Sequence, residues 1–175
     1  MKRNQIEMED SNGKISIPIK TLAVGVSPPN HSRPGDAGAD ARIIGFKKIV
    51  SKNGKKELID VHSDSYTLKS LELVGCSLGF STAIPEGYYF KVVPRSGFAL
   101  EGLSIVNSPG TIDSGYRNEW IAIVINLSNK KIILKKRDRI CQIILAKMYE
   151  YEFIEMEELP NSERGLEGFG STGKK

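Results

Sequence analysis

The chain has 175 residues, 39% of them hydrophobic, and a formal net charge of +4 with a pI near 9.0. That length suits one domain with one core, burying roughly 70% of the surface its unfolded form exposes. No run approaches the roughly 20 consecutive apolar residues of a membrane helix, the first ten residues lack a basic-then-apolar leader, and the scattered lysines form no stripe interleaved with aromatics, so the expectation is a cytoplasmic protein with no membrane and no stable nucleic-acid partner.

From the N-terminus, Ile15, Ile17 and Ile19 alternate with polar or small residues, as in a half-buried strand. Further strands are expected at 39–44, 66–74, 77–84, 88–93, 103–106, 121–127, 131–134 and 139–149, punctuated by Gly, Pro, Asn and Asp. This spacing predicts an all-β chain, a jelly-roll-like sandwich or barrel. Residues 46–64 are lysine-rich around Asn53-Gly54, a dipeptide suited to the positive φ angles of a type I′ turn, and read as an excursion hairpin outside the chemistry. The sole helical candidate is 96–101, with Ser96 as its cap and 98–100 burying one face. The β domain spans 1–160. Residues 161–175 form a glycine-rich arm with Leu166 and Phe169 as its sizeable apolar side chains, either a frayed terminus or a lid whose glycines let backbone approach an anion.

Cys76 and Cys141 are too few for a disulfide framework and too far apart for a CxxC metal site, so they read as small buried apolar residues. His31 and His62 share no ligand spacing, so a tetrahedral zinc site lacks its parts and any metal is a hard ion held by oxygen. Two central segments carry the chemistry. In Val93-Pro-Arg-Ser-Gly-Phe-Ala99, Arg95, the Ser96 hydroxyl and the amides at the helix start can converge on phosphate oxygens, although a plain strand-to-helix turn with a surface arginine also accounts for it. In Asn107-Ser-Pro-Gly-Thr-Ile-Asp-Ser-Gly-Tyr-Arg117, Pro109-Gly110 and Ser114-Gly115 mark a tight β-hairpin whose Asn and Asp can serve turn geometry alone. Functionally, Asn107 could read a base, Asp113 activate a water and Tyr116 stack on a sugar.

These segments belong to an ordered series that resembles the trimeric dUTPase family. Its five motifs are similar to Gly38-Ala-Asp40-Ala, Pro94-Arg-Ser-Gly97, Asn107 through to Arg117, Asp138-Arg-Ile-Cys-Gln142 and Arg164-Gly-Leu-Glu-Gly-Phe-Gly-Ser-Thr-Gly173. The resemblance implies a jelly-roll homotrimer that uses magnesium to hydrolyse dUTP to dUMP and pyrophosphate, limiting uracil in DNA and supplying dUMP for dTMP synthesis. It places uracil against Asn107 and the backbone of Gly110, Thr111 and Ile112, Tyr116 on the deoxyribose, and Asp113 as general base. Arg95, Ser96, Gly97 and Gln142 would hold phosphates, and Asp40 the magnesium through water. Arg164, Gly168, Phe169, Gly170, Ser171 and Thr172 would close over the nucleotide, Phe169 on the uracil face and Arg164 on the terminal phosphate. The chain departs from the pattern at Arg137 and Asn118, where glycine is usual, and at Ala41 in place of leucine. The excursion at 46–64 also lengthens the spacing from the first motif to the second. Two rivals are a dCTP deaminase, which would need a glutamate that 121–127 lacks, and a non-catalytic nucleotide sensor.

Overall fold

The computed structural model describes residues 13–166 and residue 168. In chain order the elements are β1 (Ile19–Thr21), β2 (Ala39–Arg42), β3 (Gly45–Lys52), β4 (Lys55–Val61), β5 (Ser65–Leu68), β6 (Leu73–Ser77), β7 (Phe80–Thr82), β8 (Tyr88–Pro94), α1 (Ser96–Leu100), β9 (Leu103–Ile105), β10 (Gly110–Ile112), β11 (Ile121–Asn126), β12 (Ile132–Lys135) and β13 (Arg139–Lys147). They form a four-stranded sheet β10-β8-β13-β2, a five-stranded sheet β4-β3-β6-β11-β9, and the two-stranded ribbons β1-β7 and β12-β5, all antiparallel. This is an all-β, jelly-roll architecture, as the sequence predicts. None of its described helices is long and apolar enough to cross a membrane.

Period-two patterning sends alternate side chains inward. Ala122, Val124 and Asn126 of β11 and Ile132 and Leu134 of β12 are buried while their neighbours are not. The core draws on both sheets: Ala41, Phe90, Val92 and Ile143 from one, Phe46, Val74 and Val124 from the other. At its centre the Trp120 ring lies 5.2 Å from Phe80 and 5.3 Å from Phe90. Each such buried side chain stabilises the fold by about 1.5–3 kcal/mol relative to exposure. Cys76 and Cys141 are also buried and free, and burial raises both thiols, Cys141 to about 12, so they act as core packing.

Several boundaries differ from expectation, each for a visible reason. The single strand at 66–74 is two, because Leu71 takes φ +59 and Glu72 ties the turn, its carboxylate accepting bonds from Tyr66 Oη and the Lys69 amide, both at 2.8 Å. Burial and that carboxylate push the Tyr66 hydroxyl up to about 12. The strand at 77–84 breaks at Gly79, where φ is +73 and a Cβ would stand 2.7 Å from Val26 Cγ2. The short helix forms, but Arg95 is its N-cap, without a side-chain capping bond; Ser96 lies inside, and no residue of α1 is buried. The excursion is a β3–β4 hairpin turning through Asn53 (φ 51) and Gly54 (φ 76), as read from the sequence. The segment 107–117 is not a hairpin: β10 pairs with β8, whereas β9 and β11, on either side of it in sequence, pair with each other in the opposite sheet.

Candidate active site

Sheet register assembles the first polar group. β13 runs between β8 and β2, with Gln142 opposite both Val93 and Asp40, and Arg95 follows directly on the end of β8. Asp40, 5% exposed, therefore faces side chains from β13 and from the residue that follows β8. Its Oδ1 accepts from Arg95 Nε at 2.9 Å and Gln142 Nε2 at 3.4 Å; its Oδ2 accepts from Arg139 Nη1 at 3.0 Å and the Ser32 hydroxyl at 3.1 Å. Gly38 permits the fit, since a Cβ there would lie 3.2 Å from Gln142 Cδ. Burial by itself raises the Asp40 carboxyl, but the Arg95 hydrogen bond and charge, with the Ser32 and Arg139 bonds, outweigh it and hold the group below the usual carboxylate value. The result is a fixed anion flanked by two guanidinium groups.

The second group lies on the segment that crosses between sheets. Gly110 is buried opposite Val92, and a Cβ on it would stand 3.2 Å from Asn107 Nδ2, so a larger residue would push that amide away from the strand by a few tenths of an ångström. Thr111 is exposed and Ile112 packs against the core. Beyond them the chain turns tightly: the Tyr116 amide donates to Asp113 O at 3.1 Å, Tyr116 Oη to Glu119 O at 3.1 Å, and Arg117 Nη1 to Tyr116 O at 3.0 Å and to Ser114 O. The backbone is thus pinned while the Asp113 carboxylate stays exposed and accepts no hydrogen bond among the described residues. Asn118 adopts no positive φ, whereas Arg137 does, at +73.

Asp40, Arg95 and Gln142 thus meet within one chain. Asn107, Gly110, Asp113 and Tyr116 lie on and around β10, which pairs with β8, the strand that leads to Arg95, and stands three strand spacings, about 14 Å, from Asp40 on β2. Ser96 and Gly97 are exposed beside Arg95, their first-turn amides free of intrahelical partners. Arg164 lies in an exposed turn closed by the Gly165 amide on Ser162 O at 3.0 Å, and Gly168 is exposed. Phe169, Gly170, Ser171 and Thr172 lie outside the described residues. Sequence reasoning missed Ser32 and the roles of Arg139 and Arg117; Arg139 sat inside a quoted motif, but nothing local shows that its side chain turns back onto Asp40. It also missed that Tyr149, Tyr151, Phe153, Ile154, Met156 and Leu159 are all exposed on an extended arm after β13.

No group of three or more His, Cys, Asp or Glu side chains gathers among the described residues. The donor set nevertheless fits a hydrated magnesium carried on phosphates, which needs only one or two carboxylates. Asp40, both of whose oxygens already accept hydrogen bonds, would reach such an ion through water.

Residues 59–173 match the protein family described as dUTPase. The chain is 44% identical over 151 residues to a deoxyuridine 5'-triphosphate nucleotidohydrolase of Fusobacterium nucleatum, covering 86% of this chain and 92% of that one. A protein of the same name from Streptomyces avermitilis is 39% identical over 162 residues, 89% and 82% of the respective chains. Among solved structures, a mutant Staphylococcus bacteriophage 80alpha dUTPase with dUpNHpp superposes with a TM-score of 0.71 at 23% identity, over 90% of this chain and 98% of the other. A mutant dUTPase from phage phi11 of S. aureus, described with a structural Mg(II) ion, gives 0.63 at 17% identity, over 82% and 97%.

Proposed function

The chain belongs to the dUTPase family and is a dUTP diphosphatase, and from that premise we propose that water activated by Asp113 attacks the α-phosphorus of dUTP, releasing dUMP and pyrophosphate. The observation that carries this reading is the meeting of Asp40, Arg95 and Gln142, residues far apart in sequence, around one buried carboxylate.

Arg95 gives Asp40 only its Nε and Gln142 only one amide hydrogen, so both keep further N–H donors that can meet phosphate oxygens without leaving the carboxylate. The Ser96 hydroxyl and the exposed amides of Ser96 and Gly97 add donors beside them. Asp40 would hold a hydrated magnesium through water, and such an ion would supply positive charge against the pyrophosphate leaving group. On the second group, the Asn107 amide and the backbone of Gly110, Thr111 and Ile112 read the uracil edge, and the Tyr116 ring packs on deoxyribose and leaves no room for a 2′-hydroxyl. Asp113, held by a pinned backbone yet unencumbered at its carboxylate, takes the proton of the attacking water. Bulk solvent is excluded by the arm 161–175, with Arg164 on the terminal phosphate and Gly168, Phe169, Gly170, Ser171 and Thr172 lying along the nucleotide.

Within one chain Asp40 on β2 lies three strand spacings, about 14 Å, from β10, and the arm after β13 exposes apolar side chains that its own subunit does not cover. Both features favour a homotrimer in which neighbouring subunits complete each pocket. In a cytoplasmic setting the reaction would limit uracil in DNA and supply dUMP. The test is direct: purified protein with magnesium and dUTP, dCTP, dTTP or UTP, measuring pyrophosphate and ammonia. Pyrophosphate from dUTP alone is expected; ammonia from dCTP would assign a deaminase, and no product from any of them a binding module.

A further inference from the structure

Away from the nucleotide site, one groove carries positive charge that the proposed reaction does not use. The loop 23–27 faces the end of β2 and the turn 135–138, leaving two adjoining hollows of about 290 and 310 Å3 that share Gly25, Ile44 and Arg137. Arg42 and Ser27 line the first, Lys136 the second. Lys136 is paired with Asp64 at 2.9 Å. Asp138, the carboxylate of the same turn, accepts the Lys135 amide at 2.8 Å. The guanidinium groups of Arg42 and Arg137 meet no carboxylate among the described residues; Arg42 Nη1 donates instead to the Arg137 carbonyl at 2.8 Å, which brings the first arginine onto the backbone of the second.

Two observations make this more than surface charge. Two exposed arginines line one concave wall with no carboxylate on it, an arrangement whose mutual repulsion water screens and an anion between them would relieve. Arg137 also stands at φ +73, a conformation glycine adopts freely and a side chain resists, so the turn keeps an arginine at the edge of the groove at a backbone cost. We propose that this groove is a secondary site for a small free phosphate anion, inorganic phosphate or pyrophosphate, bridged by Arg42 and Arg137 with the Ser27 hydroxyl as a further donor. Planar guanidinium forks match phosphate oxygens two at a time, which favours this class over a monovalent halide.

The test uses the full chain in phosphate-free buffer. Calorimetric titration with inorganic phosphate, and separately with pyrophosphate, is performed with saturating dUpNHpp so that the nucleotide site does not compete. Arg137→Gly and Arg42→Gln remove charge from the groove, the second retaining a donor for the Arg137 carbonyl; Lys131→Ala removes an exposed charge elsewhere. The expected result is saturable binding of one or both anions, weakened about tenfold or more by each groove variant and less than about twofold by Lys131→Ala. Cleavage of dUTP should be unchanged in all three, and Arg137→Gly should melt no lower than the parent, so loss of binding cannot be ascribed to misfolding. Absence of saturable binding, equal weakening by Lys131→Ala, or undiminished binding by Arg137→Gly would overturn the proposal. So would a short single-stranded oligodeoxynucleotide that binds the parent but not Arg137→Gly while neither anion saturates, which would assign the groove to nucleic acid.

Discussion

The Asp40 group and the Asp113 turn are opposites in construction. Around Asp40 four donors close on one buried carboxylate, so the side chains are fixed before any ligand arrives. Around Asp113 the backbone is fixed instead, by Tyr116 and Arg117, and the carboxylate proposed as the base is left exposed without a donor among the described residues. Charge that must meet a polyanion benefits from preorganisation, because rearranging guanidinium groups during the reaction would cost part of the stabilisation they provide. A base that must accept a proton needs an open acceptor, so the same degree of saturation would disable it.

Breaking the exposed side of that contrast should have the largest consequence. Asp113→Asn keeps the shape of the turn and removes the proton acceptor; turnover of dUTP is expected to fall at least about a hundredfold with nucleotide binding retained. Steady-state kinetics beside titration with dUpNHpp measure both quantities, and undiminished turnover would remove Asp113 from the chemistry. Asp40→Asn attacks the saturated side. Its guanidinium neighbours lose their counter-ion, and because Arg139 is partly exposed the expected loss of stability is modest for a buried pair, about 2 kcal/mol in denaturant unfolding. The folded Asp40 value lies below that of the unfolded chain, so its contribution is complete above about pH 4 and disappears as pH falls through the lower folded value. The stability gap between parent and Asp40→Asn should accordingly narrow in acid; a gap that stays constant with pH would mean the carboxylate charge is not what stabilises the group.

Truncation after Pro160 sharpens the comparison by leaving both groups in place. The β domain should still fold and assemble as a trimer by sedimentation, while hydrolysis falls about tenfold or more because nothing closes over the nucleotide. Full activity in that chain would refute the lid.

How much of this was legible in the sequence follows the range of the interactions. The Asn53-Gly54 turn is local chemistry and reads directly. The Asp40, Arg95 and Gln142 set emerged from the order of motifs, although no single motif says that three strands bring these side chains together. The crossing of 107–117 between sheets was not legible, because Gly110 and Val92 are partners chosen by sheet register rather than by neighbouring residues. The break at Leu71 was hidden for the same reason: a β-rich run continues through it, and only the long-range Leu71 amide to Asn126 O bond, 2.7 Å, and the Glu72 tie reveal the turn. Arg139 lay within a motif, yet its role depends on a carboxylate ninety-nine residues away in sequence.

Arg137 gives the smallest and most discriminating change. It precedes the Asp138 turn that leads into β13, the strand on which the Asp40 group depends, and its φ of +73 opposes that order. Arg137→Gly relieves the crowding between Cβ and carbonyl but gives back part of the gain through a more flexible unfolded chain, for a net stabilisation of about 0.5–1 kcal/mol. In a chain of this size that amounts to roughly a 1–4 °C rise in melting temperature. Since the Asp113 turn shares no hydrogen bond with this one, stability and turnover should separate: a tighter support for the Asp40 group with kcat unchanged. A matching rise in kcat would mean that the support of Asp40, rather than the openness of Asp113, limits the reaction.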